Sequence, residues 1–267
     1  MDMKVFYFTG TGNSLQVARG VGAYGKLISI PYFLREHKGD PVRLTVLGET
    51  IGLVFPTYWL AVPPLVVEFL EKVRFETDYL FAIVTRGNAS LTLKSQLLHV
   101  ARRNGHDISY YNQLSMPDNW LPLCDMAKEK LRFTEAELSR QIDAMAADIR
   151  SHRKNTSGHA ALSFLRPAVV SLYASRQIEG FTQRFSVDAS CSGCSTCVQV
   201  CSAQSIALQD GAPVFSTVCN GCLACVHNCS TGAIHMRNEK SSERYRNPNV
   251  SLLDIISASS SREPVST

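Results

Sequence analysis

The chain has 267 residues, 45% of them hydrophobic and 19% charged, with a formal net charge of +4. That length and balance suit one ordinary globular domain plus a small one, and they exclude a long disordered or fibrous chain. The charge is mild. Its most basic stretch, residues 150–184, holds six Lys or Arg against the single acid Glu179. A solvated face explains it, and nothing else in the sequence supports nucleic-acid binding.

Met1-Asp2-Met3-Lys4-Val5 passes directly into an apolar strand, with no charged n-region or cleavage site. The expected location is therefore cytoplasmic. Lys4 to Phe8 reads as a buried strand, short, aromatic and β-branched. It leads into Thr9-Gly10-Thr11-Gly12-Asn13-Ser14 and then Leu15 to Arg19, which can start a helix. A strand, a loop of glycines and hydroxyls, then a helix N-terminus makes a phosphate cradle, with backbone N–H groups and the helix dipole facing the anion. No lysine stands where a P-loop needs one, and Leu15 takes the third glycine place of a dinucleotide fingerprint. The loop resembles the FMN phosphate loop of flavodoxins.

Residues Thr50 to Val67 form an uncharged run long enough to raise a membrane helix, but Pro56, Pro63 and Pro64 interrupt it. A strand over Ile51–Phe55, a loop Pro56-Thr57-Tyr58-Trp59 and a helix striped by Leu65, Val66, Phe69, Leu70 and Val73 explain it better. No integral membrane segment is expected. Tyr79 to Val84 is the next strand, leading to Thr85-Arg86-Gly87-Asn88-Ala89. A helix striped by Leu93, Leu97, Val100 and Ala101 follows and stops at Gly105. Asp107 to Tyr111 is a shorter strand candidate. Thr134-x-x-Glu137 reads as a capping box before a helix with Leu138, Ile142, Met145, Ala146 and Ile149 on its buried face.

Strands alternating with helices argue for a parallel sheet covered on both faces, with ligand at the carboxyl ends of the strands. Three loops would then converge: residues 9–14, 56–59 and 85–89. Flavin needs flat apolar surfaces around its rings and donors near its pyrimidine edge. Tyr58 and Trp59 supply the first, and the backbone of Thr57 and of Thr85, Arg86, Gly87 and Asn88 the second. Trp120, in Met116-Pro117-Asp118-Asn119-Trp120, is a further stacking candidate, and Cys124 reads as a buried thiol.

Residues 154–182 read as a basic linker between domains, partly helical. Beyond it stand eight of the nine cysteines, as Cys191-x2-Cys194-x2-Cys197-x3-Cys201 and, 28 residues on, Cys219-x2-Cys222-x2-Cys225-x3-Cys229. Structural zinc prefers pairs of ligands separated by a longer loop, and disulfides need an oxidising compartment. Two cubane iron–sulfur sites suit this spacing better. The stretch 183–240 is similar to bacterial-type two-cluster ferredoxins. In that family the fourth cysteine of each run ligates the other cluster. The resemblance thus implies one set of Cys191, Cys194, Cys197 and Cys229, and a second of Cys219, Cys222, Cys225 and Cys201. The family's proline after each fourth cysteine is replaced by Ser202 and Ser230. The serine- and charge-rich residues 241–267 are expected to be mostly disordered.

Taken together, the chain resembles the flavodoxin–ferredoxin fusion proteins of anaerobic prokaryotes. The resemblance implies an α/β fold, a flavodoxin-like doubly wound parallel sheet over residues 1–153, followed by a small α+β two-cluster ferredoxin domain. It further implies two [4Fe–4S] clusters, FMN, and electron transfer between redox protein partners. An FMN-dependent reductase of a small substrate fed by the clusters, or an iron–sulfur sensor, are the alternatives. No nucleophile–base pair or acid dyad stands out.

Overall fold

The computed structural model describes residues 2–40, 42–87, 92–156 and 180–260. Five strands build the central sheet: β1 (Met3–Tyr7), β2 (Lys26–Ser29), β4 (Thr50–Pro56), β6 (Tyr79–Arg86) and β7 (Tyr110–Ser115). Their spatial order is β2-β1-β4-β6-β7 and every pairing is parallel. β3 (Leu44–Leu47) and β5 (Val73–Glu76) form a separate parallel pair beside it. Counted without that pair, the order is 2-1-3-4-5, the flavodoxin-like winding, whose switch point lies between the first and third strands.

Alternation along the strands divides the core between the two faces. Val5 and Tyr7 pack with α1 (Asn13–Val21) and α6 (Glu135–Arg150), through Leu15, Ala18, Ile142 and Met145. Phe6 and Phe8 face the other way, onto α3 (Pro64–Lys72) and α4 (Leu93–Arg103), through Val66, Phe69 and Leu97. β4 and β6 are buried along nearly their whole length, as central parallel strands require.

Several elements differ from the sequence expectation. β2 and α2 (Ile30–Glu36), and the pair β3 and β5, were not legible, being short and only half-buried. The strand sought at Asp107–Tyr111 starts later and runs through the polar Asn112 and Gln113, because it is the sheet's last strand, paired only with β6. Thr134 caps α6 by accepting the Glu137 N–H at 3.3 Å, while Glu137's carboxylate turns to Arg140 and Gln141. Between α4 and α6, α5 (Met126–Leu131) is capped by Asp125. No described helix is long and apolar enough to cross a membrane.

The C-terminal lobe repeats itself at the 28-residue offset of its cysteine runs. β8 (Phe185–Val187) pairs antiparallel with β11 (Ile234–Met236), and β9 (Ile206–Gln209) with β10 (Ala212–Phe215). The pair Phe185–Met236 corresponds to Pro213–Leu208, and Val187–Ile234 to Phe215–Ile206. Two one-turn helices, α7 (Thr196–Gln199) and α8 (Ala224–His227), follow the same rule. The repeat reaches the backbone: Gly193 and Gly221 have φ of 68° and 66°, Ser195 and Leu223 of 59° and 55°.

The tail overturns the expectation of disorder from residue 241. Residues 241–260 are ordered and end in α9 (Leu252–Ser259), begun by a full capping box of Ser251 and Asp254. Arg19 pairs with Asp254 at 2.5 Å, and the carbonyls of Ala258 and Ser259 accept from Ser29 and Arg35 at 2.5 and 2.8 Å. Val250, Ile255 and Ala258 join the core of the α1–α6 face. Its serines looked like those of a solvated tail, yet they cap and cross-link. The linker expected at 154–182 falls largely on residues outside those described.

Candidate functional site

The site is built from the carboxyl ends of β1, β4, β6 and β7. β1 runs into the loop 9–14, which Thr9 folds back by accepting the Gly12 N–H at 3.0 Å. Gly12 holds φ 101° as the residue before α1, so the first-turn N–H groups of α1 face the loop. Ser14 shares a hydrogen bond with Thr85 at 2.8 Å, tying this loop to the end of β6. Thr9, Gly10, Thr11, Asn13 and Ser14 line one crevice with Pro56, Thr57, Tyr58, Thr85, Arg86 and Gly87. The sequence thus named three loops that meet. Pro117, Asp118 and Asn119, from the loop after β7, complete the wall. Asn88 lies outside the described residues, and Gly12 faces the tail rather than the crevice.

Beside this crevice opens a wider cleft of about 930 Å³, whose walls include Tyr58, Trp59, Trp120, Leu123 and Leu223. Trp59 enters it from a tight turn in which the Ala61 N–H donates to Tyr58 O at 2.9 Å and the Tyr58 N–H returns to Ala61 O at 3.2 Å. The central residues Trp59 and Leu60 have φ of 53° and 63°. Such turns favour Asn-Gly, and holding larger residues there costs roughly 1–2 kcal/mol each. That strained turn sets Trp59 against Trp120, with ring centroids 4.2 Å apart at 68°. The aromatic series continues through Phe181, Phe185 and Phe215, at centroid steps of 6.2, 5.6 and 5.3 Å, into the C-terminal lobe.

On the cleft wall Asp118 accepts the Trp120 N–H at 3.1 Å and gives its own N–H to Glu129 at 3.0 Å. Burial, and then the Glu129 charge, raise the Asp118 carboxyl above its ordinary range. Arg132 holds Glu129 with two contacts, at 2.7 and 2.8 Å. Cys124 is buried next to this group, and burial with the neighbouring carboxylates pushes its thiol up to about 12.

The eight repeated cysteines gather in the C-terminal lobe. Cys201, Cys219, Cys222 and Cys225 line a single cavity, closed by Phe185, Ile206 and Phe215. Burial raises the thiols of Cys219 and Cys222 to about 12 and about 11 and lifts that of Cys225 well above the ordinary thiol value, and the charges of their fellow cysteines add to the shift. Cys197, also raised by burial, feels the charges of Cys194 and Cys229. Cys194 is exposed, and the hydroxyl and N–H of Thr196 lower its thiol to about 7. One quartet is therefore sheltered, while the group around Cys194 reaches solvent. Among the described residues, no three His, Cys, Asp or Glu side chains gather closely enough to hold a single metal ion.

The two regions touch. A Cβ on Gly10 would lie 2.7 Å from the Cys222 carbonyl oxygen and 3.1 Å from its Cβ. Leu223 lines both the aromatic cleft and the four-cysteine cavity, so one residue separates them. The tail locks this contact from behind. Asn247 donates its N–H to Thr11 O at 2.8 Å, and the Tyr245 hydroxyl and Asn247 amide both donate to Asn13 Oδ1, at 2.7 and 3.1 Å. Sequence reasoning missed Tyr245 and Asn247 because they act across more than 230 positions of chain. Asp118 and Asn119 carried a signal, standing between Pro117 and the aromatic Trp120.

No protein-family model and no curated protein matches the chain. Among solved structures, similar ones include the rubredoxin oxygen:oxidoreductase of the anaerobe Desulfovibrio gigas, at 14% identity and a TM-score of 0.38 over 57% of this chain and 36% of that one. A Fusobacterium nucleatum flavodoxin bound to flavin mononucleotide matches at 14% and 0.37, over 57% of this chain and 99% of its own. The Trp repressor binding protein of Bacillus subtilis matches at 13% and 0.34, over 53% and 96%. The chain thus spans little more than a third of the first of these. At such similarity nothing about ligand or activity passes from those proteins to this chain; the strand order stands on its own.

Proposed function

We propose that the chain is an electron-transfer protein carrying FMN in the crevice and aromatic cleft, and two [4Fe–4S] clusters in the C-terminal lobe. The observation that carries this reading is the single-residue wall at Leu223 between a cavity lined by four cysteines and the cleft lined by Trp59 and Trp120. Two redox groups housed on either side of one residue are close enough to exchange electrons.

The residues fit both groups. A cubane binds each thiolate through a different iron, so its ligands stand around a cavity rather than closing on one ion. That Cys201, Cys219, Cys222 and Cys225 line one cavity supports this reading. Cys191, Cys194, Cys197 and Cys229 make the second set that the cysteine spacing implies. For FMN, the loop 9–14 with its buried hydroxyls and the start of α1 would hold the phosphate. Tyr58 and the Trp59–Trp120 pair would offer the rings an apolar wall, and Thr57 and Thr85 to Gly87 would face their polar edge. Bound flavin supplies one- or two-electron chemistry, and clusters pass single electrons.

Burial also distinguishes the two cysteine sets. The sheltered quartet adjoins the cleft, and the set containing exposed Cys194 faces outward, where a protein partner can reach it. With both groups bound, electrons would pass between partner, outer cluster, inner cluster and flavin site in that sequence. The residue ranges 1–153 and 183–240 serve as the two functional units, with the ordered tail binding them together.

Anaerobic purification followed by iron, sulfide and flavin analysis tests the reading. About eight iron atoms and one FMN per chain are expected. Cys222→Ser should remove the inner cluster and stop flavin reduction by a one-electron donor protein, while dithionite still reduces the flavin directly. Zinc without sulfide, or a chain that fails to bind FMN, overturns it.

A further inference from the structure

We propose that Tyr245 and Asn247 of the tail are positioning residues for loop 9–14, and that through them the chain distinguishes FMN from riboflavin. This rests on the flavin reading above and specifies how that site recognises the phosphate end.

Side-chain charge does not make the choice. The crevice is lined by one cation, Arg86, against one carboxylate, Asp118. Selection of an anion there falls to hydroxyls and to the main-chain N–H groups of the loop and of the first turn of α1. Those groups serve only while the loop keeps one conformation. Tyr245 and Asn247 are both buried, and neither lines the crevice. Their reach is through the loop.

The first grip is on the peptide between Thr11 and Gly12. Asn247 gives its N–H to the Thr11 carbonyl at 2.8 Å, and the Gly12 N–H of the same peptide donates to Thr9 Oγ1 at 3.0 Å. The carbonyl and N–H of a trans peptide point opposite ways, so this plane is held from both sides. Gly12, at φ 101° and without a Cβ, is where the loop could most easily turn. Rotation of that peptide would swing the Thr11 carbonyl from the tail toward the crevice and set an acceptor against the phosphate.

The second grip is on the Asn13 side chain. An asparagine at a helix start readily accepts the free first-turn N–H groups, the same donors an anion needs. Here Asn13 Oδ1 instead accepts the Tyr245 hydroxyl at 2.7 Å and the Asn247 amide at 3.1 Å. The Asn247 amide also donates to Gln16 Oε1 at 2.7 Å, which ties the tail to α1 itself. His227 Nδ1 accepts the Tyr245 N–H at 3.1 Å, so the tail that grips the loop is fixed in turn on the cysteine lobe.

The test compares FMN with riboflavin, which has the same rings and no phosphate. Each is titrated by fluorescence quenching into the full-length, anaerobically purified chain stripped of flavin, with urea midpoints recorded for every variant. The parent is expected to prefer FMN. Tyr245→Phe/Asn247→Ala should weaken FMN about tenfold while riboflavin stays within about twofold. Tyr245→Phe keeps the ring and removes one donor. It should fold like the parent and weaken FMN alone by about threefold, and it decides the matter if the double variant does not fold. An FMN-to-riboflavin affinity ratio equal to the parent's, whether both affinities fall or neither does, overturns the inference and leaves the flavin reading standing. So does a parent that binds both flavins equally. A parent that binds neither overturns both.

Discussion

The His227 ring joins three parts of the molecule, donating from Nε2 to the main-chain carbonyl of Asn119 at 2.8 Å. Its Nδ1 accepts the Tyr245 N–H at 3.1 Å, and a ring nitrogen that accepts from an amide carries no proton. The tautomer is therefore set by its partners, and burial lowers the imidazole's pKa to about 4. One side chain of the cysteine lobe thus holds the loop after β7 and the tail.

His227→Phe is close in volume but leaves the part-buried Asn119 carbonyl and the buried Tyr245 N–H without these partners. Each such loss costs about 1–3 kcal/mol, so the variant should be destabilised by about 2–5 kcal/mol. Chemical denaturation would measure it. Proteolysis should find new cuts near residue 245, since the tail loses its anchor. A variant as stable as the parent would show that the joint is held elsewhere.

Gly10→Ala should act at the contact between loop 9–14 and the inner quartet. Its Cβ would sit 2.7 Å from the Cys222 carbonyl oxygen, closer than packed atoms allow, and that oxygen is main chain. Overpacking of this kind costs typically ~1–3 kcal/mol. The expected result is a lower melting temperature and slower electron passage from the clusters to the flavin. Direct reduction of the flavin by a small chemical reductant should be less affected. Rapid-mixing spectroscopy on the loaded protein separates the two rates.

The sheet and its loops were legible because their signals are local. Lys4 to Phe8, Ile51 to Phe55 and Tyr79 to Val84 announce themselves as buried strands, and each loop follows its strand in sequence. The cysteine runs were equally plain, and their offset reappears in backbone dihedrals and strand register. What escaped was whatever depends on distant partners. Ser251 and Asp254 read as the composition of a loose tail, but a capping box and the Arg19–Asp254 pair give them fixed places. Likewise Asn13 stands in the loop read as a phosphate cradle. In the fold its Oδ1 is taken by Tyr245 and Asn247, and its Nδ2 donates to Pro117 O at 3.2 Å. Its backbone N–H is the group left to meet an anion.

His235 gives the antiparallel pair of β8 and β11 a pH dependence. Its two ring nitrogens face Glu239 at 2.8 Å and Asp188 at 2.9 Å, and those carboxylates raise its pKa above the usual histidine value. Ser190 and then His235 hold Asp188 down at about 2, so it stays ionised throughout the range. A raised histidine stabilises the fold fully below its unfolded pKa of about 6.5, and that contribution is lost as pH rises through the folded value. Stability should therefore decline on the alkaline side, modestly because the group is partly exposed. In His235→Gln the decline should flatten. Urea midpoints across that range would show it, and parallel slopes in both proteins would contradict the assignment.

The serines that replace proline after each fourth cysteine face thiols of the quartet they would tune. Ser202 Oγ lies 4.0 Å from Cys222 Sγ, and Ser230 Oγ lies 3.9 Å from Cys194 Sγ. Asn220 donates to Ser202 Oγ at 3.0 Å, which leaves the hydroxyl proton free to turn toward sulfur. Donors aimed at cluster sulfur favour the more negative, reduced state and raise the reduction potential. The contacts are long, so the effect is a fraction of a full hydrogen bond. For a one-electron couple ~59 mV corresponds to a tenfold change in equilibrium, and tens of millivolts are expected here. Ser202→Ala should lower the potential of the inner cluster alone, and Ser230→Ala that of the outer cluster alone. Alanine removes the hydroxyl while keeping the backbone N–H, so the shift reports the side chain and not the turn. Anaerobic titrations followed by electron paramagnetic resonance distinguish the two clusters. If either variant leaves both potentials unchanged, its hydroxyl plays no part in setting them.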